Sequence, residues 1–188
     1  MKMNGTVQSD PSQNLWRTPK GDKLFGRGPY TVNKLIKEFA LRLDPCCSGE
    51  IDCLVPIDQG GQFYTKKDDG LKQPWLYNTI FNPPFAKLVY NQDGTLKMKF
   101  DKKTQMQVPV YKSAIEDWIK KAVSEVLDNG ITVIGILPVY TSPKWFHQYI
   151  NGVASIEFIN GRIHYTNQDG KTGSPNFDSM LVFWQPRK

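Results

Sequence analysis

The chain has 188 residues, 39% of them hydrophobic, enough to build one substantial core and too few for a large second domain. No apolar run is long enough to span a bilayer and the N-terminus lacks the apolar stretch of a signal peptide, so the expected location is cytoplasmic. The net charge of +6 and pI near 9.1 favour a polyanionic partner without requiring one.

Residues 1–14 (MKMNGTVQSDPSQN) are polar and aperiodic and read as a flexible tail, which leaves 15–188 as a single domain. Over Tyr30–Leu41 the apolar positions Val32, Leu35, Ile36 and Phe39 repeat at three and four, which predicts a helix. Leu41 and Leu43 lead into a short strand that ends at Asp44-Pro45. Residues 76–81 (LYNTIF) predict a second strand, stopped by Asn82-Pro83-Pro84 because proline cannot continue a ladder. Residues 88–110 alternate loosely about Asn91-Gln92-Asp93-Gly94, as a hairpin would. Ser113, followed three residues on by Glu116, reads as a capping box opening a helix through Leu127. Its buried face is Ala114, Ile115, Trp118, Ala122, Val123 and Val126, and Asn129-Gly130 closes it.

Ile131–Leu137 is a continuous apolar run, the mark of a strand covered on both faces. A short helix over Pro143–Ile150 follows, then strands near Ser155–Ile159, Ile163–Tyr165 and Met180–Trp184. This succession predicts an α/β fold with a mostly parallel sheet ending in an antiparallel hairpin.

Cys46, Cys47 and Cys53 lie within eight positions. Their odd count argues against a disulfide framework, and a closed zinc site needs a fourth ligand that His147 and His164 do not offer in sequence. No metal is expected.

The segment Asn82-Pro83-Pro84-Phe85 carries the strongest chemical signal. An aromatic amine is a poor nucleophile because its lone pair is delocalised into the ring. The Asn82 side-chain oxygen and the Pro83 carbonyl are suited to accept both amino hydrogens and localise that pair, on a turn that Pro83-Pro84 stiffens in advance. Phe85 offers a stacking face to a base taken out of its duplex. A plain strand-ending turn would also use Pro-Pro. The stretch Leu43-Asp44-Pro45-Cys46-Cys47-Ser48-Gly49-Glu50, after the first strand, suits a nucleotide-like cofactor at a sheet edge, with Asp44 able to meet an ammonium.

Together, Trp16-Arg17-Thr18-Pro19, Leu43 to Cys47, Asp69-Gly70-Leu71 with Trp75, and Phe81 to Phe85 form an ordered set. It continues with Ile136-Leu137-Pro138, Lys144 to His147, Gly161-Arg162-Ile163 and Ser174 to Phe177. Over residues 15–185 this set resembles the phage-type, Dam-like DNA adenine-N6 methyltransferases. The resemblance implies a class I (Rossmann-like) S-adenosylmethionine-dependent fold and methyl transfer, direct and in line, to the exocyclic amine of a flipped adenine in double-stranded DNA. It implies Asn82, Pro83, Pro84 and Phe85 as catalytic residues. Trp16, Thr18, Pro19, Asp44, Pro45, Cys46 and Asp69 would hold the cofactor.

The family more often has Tyr where Phe85 stands. The stretch Ile51–Gln62 is longer than usual, with Asp58 only a candidate ribose ligand, and residues 89–112 look inserted. On that insertion Lys97, Lys99, Lys102 and Lys103 are expected to track DNA phosphates, as is Arg162 elsewhere, though lysines on an exposed strand edge also serve to block aggregation. The rival readings are an enzyme acting on adenine in structured RNA or on protein glutamine, and a silent nucleic-acid-binding relative.

Overall fold

A computed structural model describes residues 25, 27–49, 53–166 and 172–187. The expected N-terminal tail and the Trp16, Thr18 and Pro19 positions lie outside the described residues. Thr31 caps helix α1 (Val32–Phe39) by accepting from the Lys34 N–H, and Ala40 closes it in the left-handed conformation. Strand β1 (Leu43–Asp44) follows, then a 3-10 turn (Ile57–Gln59) and β2 (Gln62–Phe63), neither of which the sequence pattern had indicated. Strand β3 (Thr79–Phe81) runs into the Asn82 turn.

Next come β4 (Ala86–Leu88), β5 (Met98–Asp101), β6 (Met106–Pro109) and β7 (Tyr111–Ser113), then helix α2 (Ile115–Asn129) and strand β8 (Val133–Pro138). Helix α3 (Lys144–Tyr149), β9 (Ser155–Phe158), the small pair β10 (Tyr165–Thr166) and β11 (Thr172–Gly173), and β12 (Ser179–Trp184) complete the described chain. Ser113 does not form the expected capping box. It belongs to β7, the cap position is Ala114, and no side chain caps α2 there. The local sequence signal is overridden because Ser113 pairs across the ribbon with Ala86. Gly130 ends α2 at a φ of 64°, as its place after Asn129 predicts.

The main sheet has six strands in the order β2-β1-β3-β8-β12-β9. The first four are mutually parallel, and β12 is antiparallel to both β8 and β9. The antiparallel pair at this end is therefore β9 with β12, joined through the β10–β11 excursion and with the last strand inserted inside the sheet. Side chains alternate between two cores. Phe81, Val133, Leu137, Met180, Val182 and Trp184 pack with α2 and α3, whereas Ile80, Ile134, Ile136, Leu181 and Phe183 pack with α1 and Cys53–Val55. Covering on both faces is why β8 reads as an unbroken apolar run. Among the described residues no helix is long and apolar enough to cross a membrane.

Gly135 lets Phe81 and Trp184 stack across β8 at 6.2 Å, since a Cβ there would sit 3.0–3.1 Å from both rings. At the front of the sheet, buried Trp75 donates its indole N–H to the Gly70 carbonyl at 2.9 Å, and its backbone N–H donates to buried Glu125 on α2. That anchor presses Gly70 against Pro45, where a Cβ on Gly70 would fall 1.9 Å from the Pro45 carbonyl oxygen. Gly70→Ala is accordingly expected to cost about 3 kcal/mol, the upper end of overpacking penalties, because backbone and not a flexible side chain must move. Urea denaturation checks this, and an unchanged midpoint would contradict the packing described.

Candidate active site

Because β2, β1, β3 and β8 are parallel, their carboxyl ends meet at one edge of the sheet. The loop after β1 supplies Asp44 to Cys47 and the loop after β3 supplies Asn82 to Phe85. The stretch beyond β2 supplies Asp69, and that beyond β8 supplies Tyr140. Since β12 is antiparallel, Phe177 enters at the same edge just before that strand. Arg162, exposed beyond β9, shares the edge at its far end.

The residues singled out from sequence are brought together as follows. Cys46 donates its S–H to the Asn82 carbonyl at 3.3 Å, so the β1 and β3 loops are directly joined. Pro83 is buried, Asn82 and Phe85 are half-buried, and the Asn82 Oδ1 atom is buried. Pro84 is exposed. Pro45 abuts Gly70, which puts Asp69 beside the same loop. Asp69 has a positive φ of 55° and pairs with Lys72 at 2.9 Å. Asp58 is exposed in the 3-10 turn, and His147 is exposed with its ring edge-on to Phe146.

Asp44 is almost fully buried. Its Oδ1 accepts from the Cys46 N–H at 3.2 Å and its Oδ2 from the Leu54 N–H at 2.9 Å, so the carboxylate shapes the loop it introduces. Asp44, Cys47 and Cys53 offer donor atoms that all lie within 4.8 Å of one another. Among the described residues that group has three donors, where a closed structural zinc site takes four. All three cysteines are thiols. Burial, and then the neighbouring Asp44 carboxylate, push the Cys46 thiol well up. A hydrogen bond with Cys53, then burial, does the same to Cys47. Thiols so held stay protonated near neutral pH and are poor nucleophiles.

Two aromatic residues at this edge were not foreseen as site residues. Phe177 meets Phe85 edge-on at 5.3 Å, and Tyr140 meets Phe177 at 6.0 Å. Phe177 lay within a recognised motif, but only the antiparallel entry of β12 puts it opposite Phe85. Tyr140 had no distinguishing sequence signal.

Between Phe85 and α2 stands a branched ribbon. Strand β4 pairs with β7 to form its stem, and Val89, Lys97 and Val110 exchange backbone hydrogen bonds of 2.8–2.9 Å at a three-way junction. One short arm closes at the expected Asn91–Gly94 turn. The other, β5 with β6, closes over residues 102–105. The element thus starts at Ala86, earlier than the sequence suggested, and has two arms instead of one hairpin. Lys97 lies at the junction, Lys99 on β5, and Lys102 and Lys103 in the tip of the second arm, all exposed. From Ala86 to Ser113 there are six lysines and two aspartates, so this ribbon carries four of the chain's six net positive charges.

A family model described as DNA N-6-adenine-methyltransferase (Dam) matches residues 5–188. No curated protein matches the chain.

Replacing Asp44 by Ala strands two backbone N–H groups. It is expected to lower stability by about 1–3 kcal/mol, with Asp44→Asn milder because one oxygen acceptor remains. Denaturation midpoints of the two variants test this, and equal losses would show that the carboxylate's acceptors are not what shapes the loop.

Proposed function

The chain belongs to the DNA N-6-adenine-methyltransferase (Dam) family, and from that premise we propose that it methylates the amino group of a flipped adenine in double-stranded DNA, using S-adenosylmethionine. The observation that carries the proposal is Asn82-Pro83-Pro84-Phe85 at the carboxyl end of β3, tied by the Cys46 thiol to the loop after β1. The strand order, with four parallel strands and β12 antiparallel between β8 and β9, supports a class I, Rossmann-like methyltransferase fold in one domain.

The edge fits the cofactor by the chemistry of its donors. Asp69 carries a half-exposed carboxylate on the residue before Gly70, which packs on Pro45, and the β1 loop, shaped by Asp44, brings Pro45 and Cys46 toward Asn82. Thr18, Pro19 and Trp16 are proposed to close over it. When bound, S-adenosylmethionine supplies an electrophilic methyl group.

The chain's own residues do the rest. The Asn82 side-chain oxygen and the Pro83 carbonyl accept the two hydrogens of the target amine, so its lone pair points out of the ring plane. Both acceptors sit on a turn fixed by two prolines, so little reorganisation is needed. Phe85 gives the base a stacking face, with Phe177 and Tyr140 continuing the aromatic wall. Transfer is direct. No covalent enzyme intermediate is needed, and the raised thiols of Cys46 and Cys47 suit amine methylation better than attack on a ring carbon. No dedicated base is required, because the product ammonium can lose its proton to water.

Asn82→Ala is expected to reduce methylation of DNA by about 100- to 1000-fold while cofactor binding persists. Radiolabelled methyl transfer to DNA, with RNA and protein acceptors run beside it, together with calorimetric cofactor binding, checks this. Near-normal turnover by the variant would remove the assignment.

The exposed lysines Lys97, Lys99, Lys102 and Lys103, with Arg162, are proposed to contact DNA phosphates. Changing the four lysines to Gln should weaken binding equally for all sequences. The slope of log affinity against log salt should flatten by about 0.9 per lost contact. An unchanged slope would mean that these lysines only solvate the ribbon.

A further inference from the structure

We infer that the β5–β6 arm reads DNA sequence by entering the major groove, with Met98, Phe100 and Gln107 toward the base edges; this rests on the methyltransferase reading above. The arm is anomalous as a piece of soluble protein. Met98, Phe100 and Met106 are 44%, 54% and 49% exposed on a two-stranded ribbon. Large exposed apolar side chains gathered on one element mark an interaction surface. The positive charge of the same ribbon, with Lys97, Lys99, Lys102, Lys103 and Lys112 all exposed, selects a polyanion as its occupant.

The register sorts the two faces. Met98 is opposite Pro109 and Phe100 opposite Gln107, while Lys99 is opposite Val108 and Asp101 opposite Met106. Directly opposed residues share a face. One face therefore carries Met98, Phe100, Gln107 and Pro109 and no charge, and the other carries Lys99 and Asp101 together with Val108 and Met106. An uncharged face with one amide suits base edges. Gln pairs with adenine N6 and N7 together, and apolar groups meet the thymine methyl. The charged positions on the other face and at the tip are left for the phosphates.

Size and rigidity agree. A two-stranded ribbon, its strands about 4.8 Å apart, fits a groove about 12 Å wide. The tip is built in advance. The Asp101 carboxylate accepts from the Lys103 N–H at 2.9 Å and the Thr104 hydroxyl at 3.1 Å, and the Gln105 amide donates to the Lys102 carbonyl at 2.7 Å. Gln105 is thereby committed to the turn, which leaves Gln107 as the amide of the uncharged face. The stem starts at Ala86, the residue after Phe85, so a base contacted by the arm has a fixed distance from the base at the catalytic turn.

The test uses the full chain, with duplexes drawn from the sites that the wild type methylates in mixed-sequence DNA. Gln107→Ala should relax preference at one base pair by about 5- to 150-fold. Phe100→Ala should relax it at a position occupied by thymine. Replacing adenine at the Gln107 position by 7-deazaadenine, which lacks the N7 acceptor, should weaken wild-type binding and leave the Gln107→Ala variant indifferent. Binding to the same duplexes gives the readout even where turnover is lost. Unchanged sequence context in both variants, or an equal effect of 7-deazaadenine on wild type and variant, would overturn the inference while the enzyme remained a methyltransferase. A wild type that methylated no DNA would overturn the functional reading itself, and this inference with it.

Discussion

Everything at the candidate site depends on the parallel pairing of β1, β3 and β8. A parallel strand cannot turn straight back, so each must end in a loop at the same edge while the chain returns through a crossover. Burial on both faces then fixes the register. Moving β3 by one residue would exchange Ile80 and Phe81 between two cores of different shape. The Asn82 turn is consequently held by the packing of the strand before it, and its position relative to the β1 loop is a property of the sheet.

Within that frame the loops are fixed by short-range polar contacts. Asp44 uses its carboxylate to organise Cys46 and Leu54, and Cys46 passes the constraint to the Asn82 carbonyl. Trp75, plugged into the core and bonded to Gly70, holds the segment bearing Asp69 against Pro45. The result is an edge where the Asn82 turn and the β1 loop hold each other in place, the arrangement on which the proposed acceptor role of Asn82 and Pro83 rests.

The ribbon is tolerated because its two ends meet. Ala86 pairs with Ser113, and the Ala114 N–H donates to the Phe85 carbonyl at 3.1 Å, so the body experiences the insertion as a tight turn. Closing a longer loop adds little entropy cost. The ribbon can therefore carry charge and apolar surface that would be costly on the body, and it begins at the residue after Phe85.

The sequence by itself determined the buried strand Val133–Pro138, helices α1 and α2, and the Asn82-Pro83-Pro84-Phe85 turn, because each is written in a local pattern: an apolar run, a three-and-four spacing, a pair of prolines. It also displayed the family's motifs in order. It did not show β2 or β11, each two residues long and too short for any periodicity to register, and the strand it placed near Ile163–Tyr165 begins only at Tyr165. The capping signal at Ser113 was misleading, since a cross-strand pair with Ala86 took that residue. Only the tertiary structure decided that Phe177 and Tyr140 join Phe85, that Asp44 turns its carboxylate to its own loop, and that the lysines sit on an arm with one uncharged face. Each of these follows from which strands are neighbours and in what register, and that depends on contacts between residues far apart in the chain.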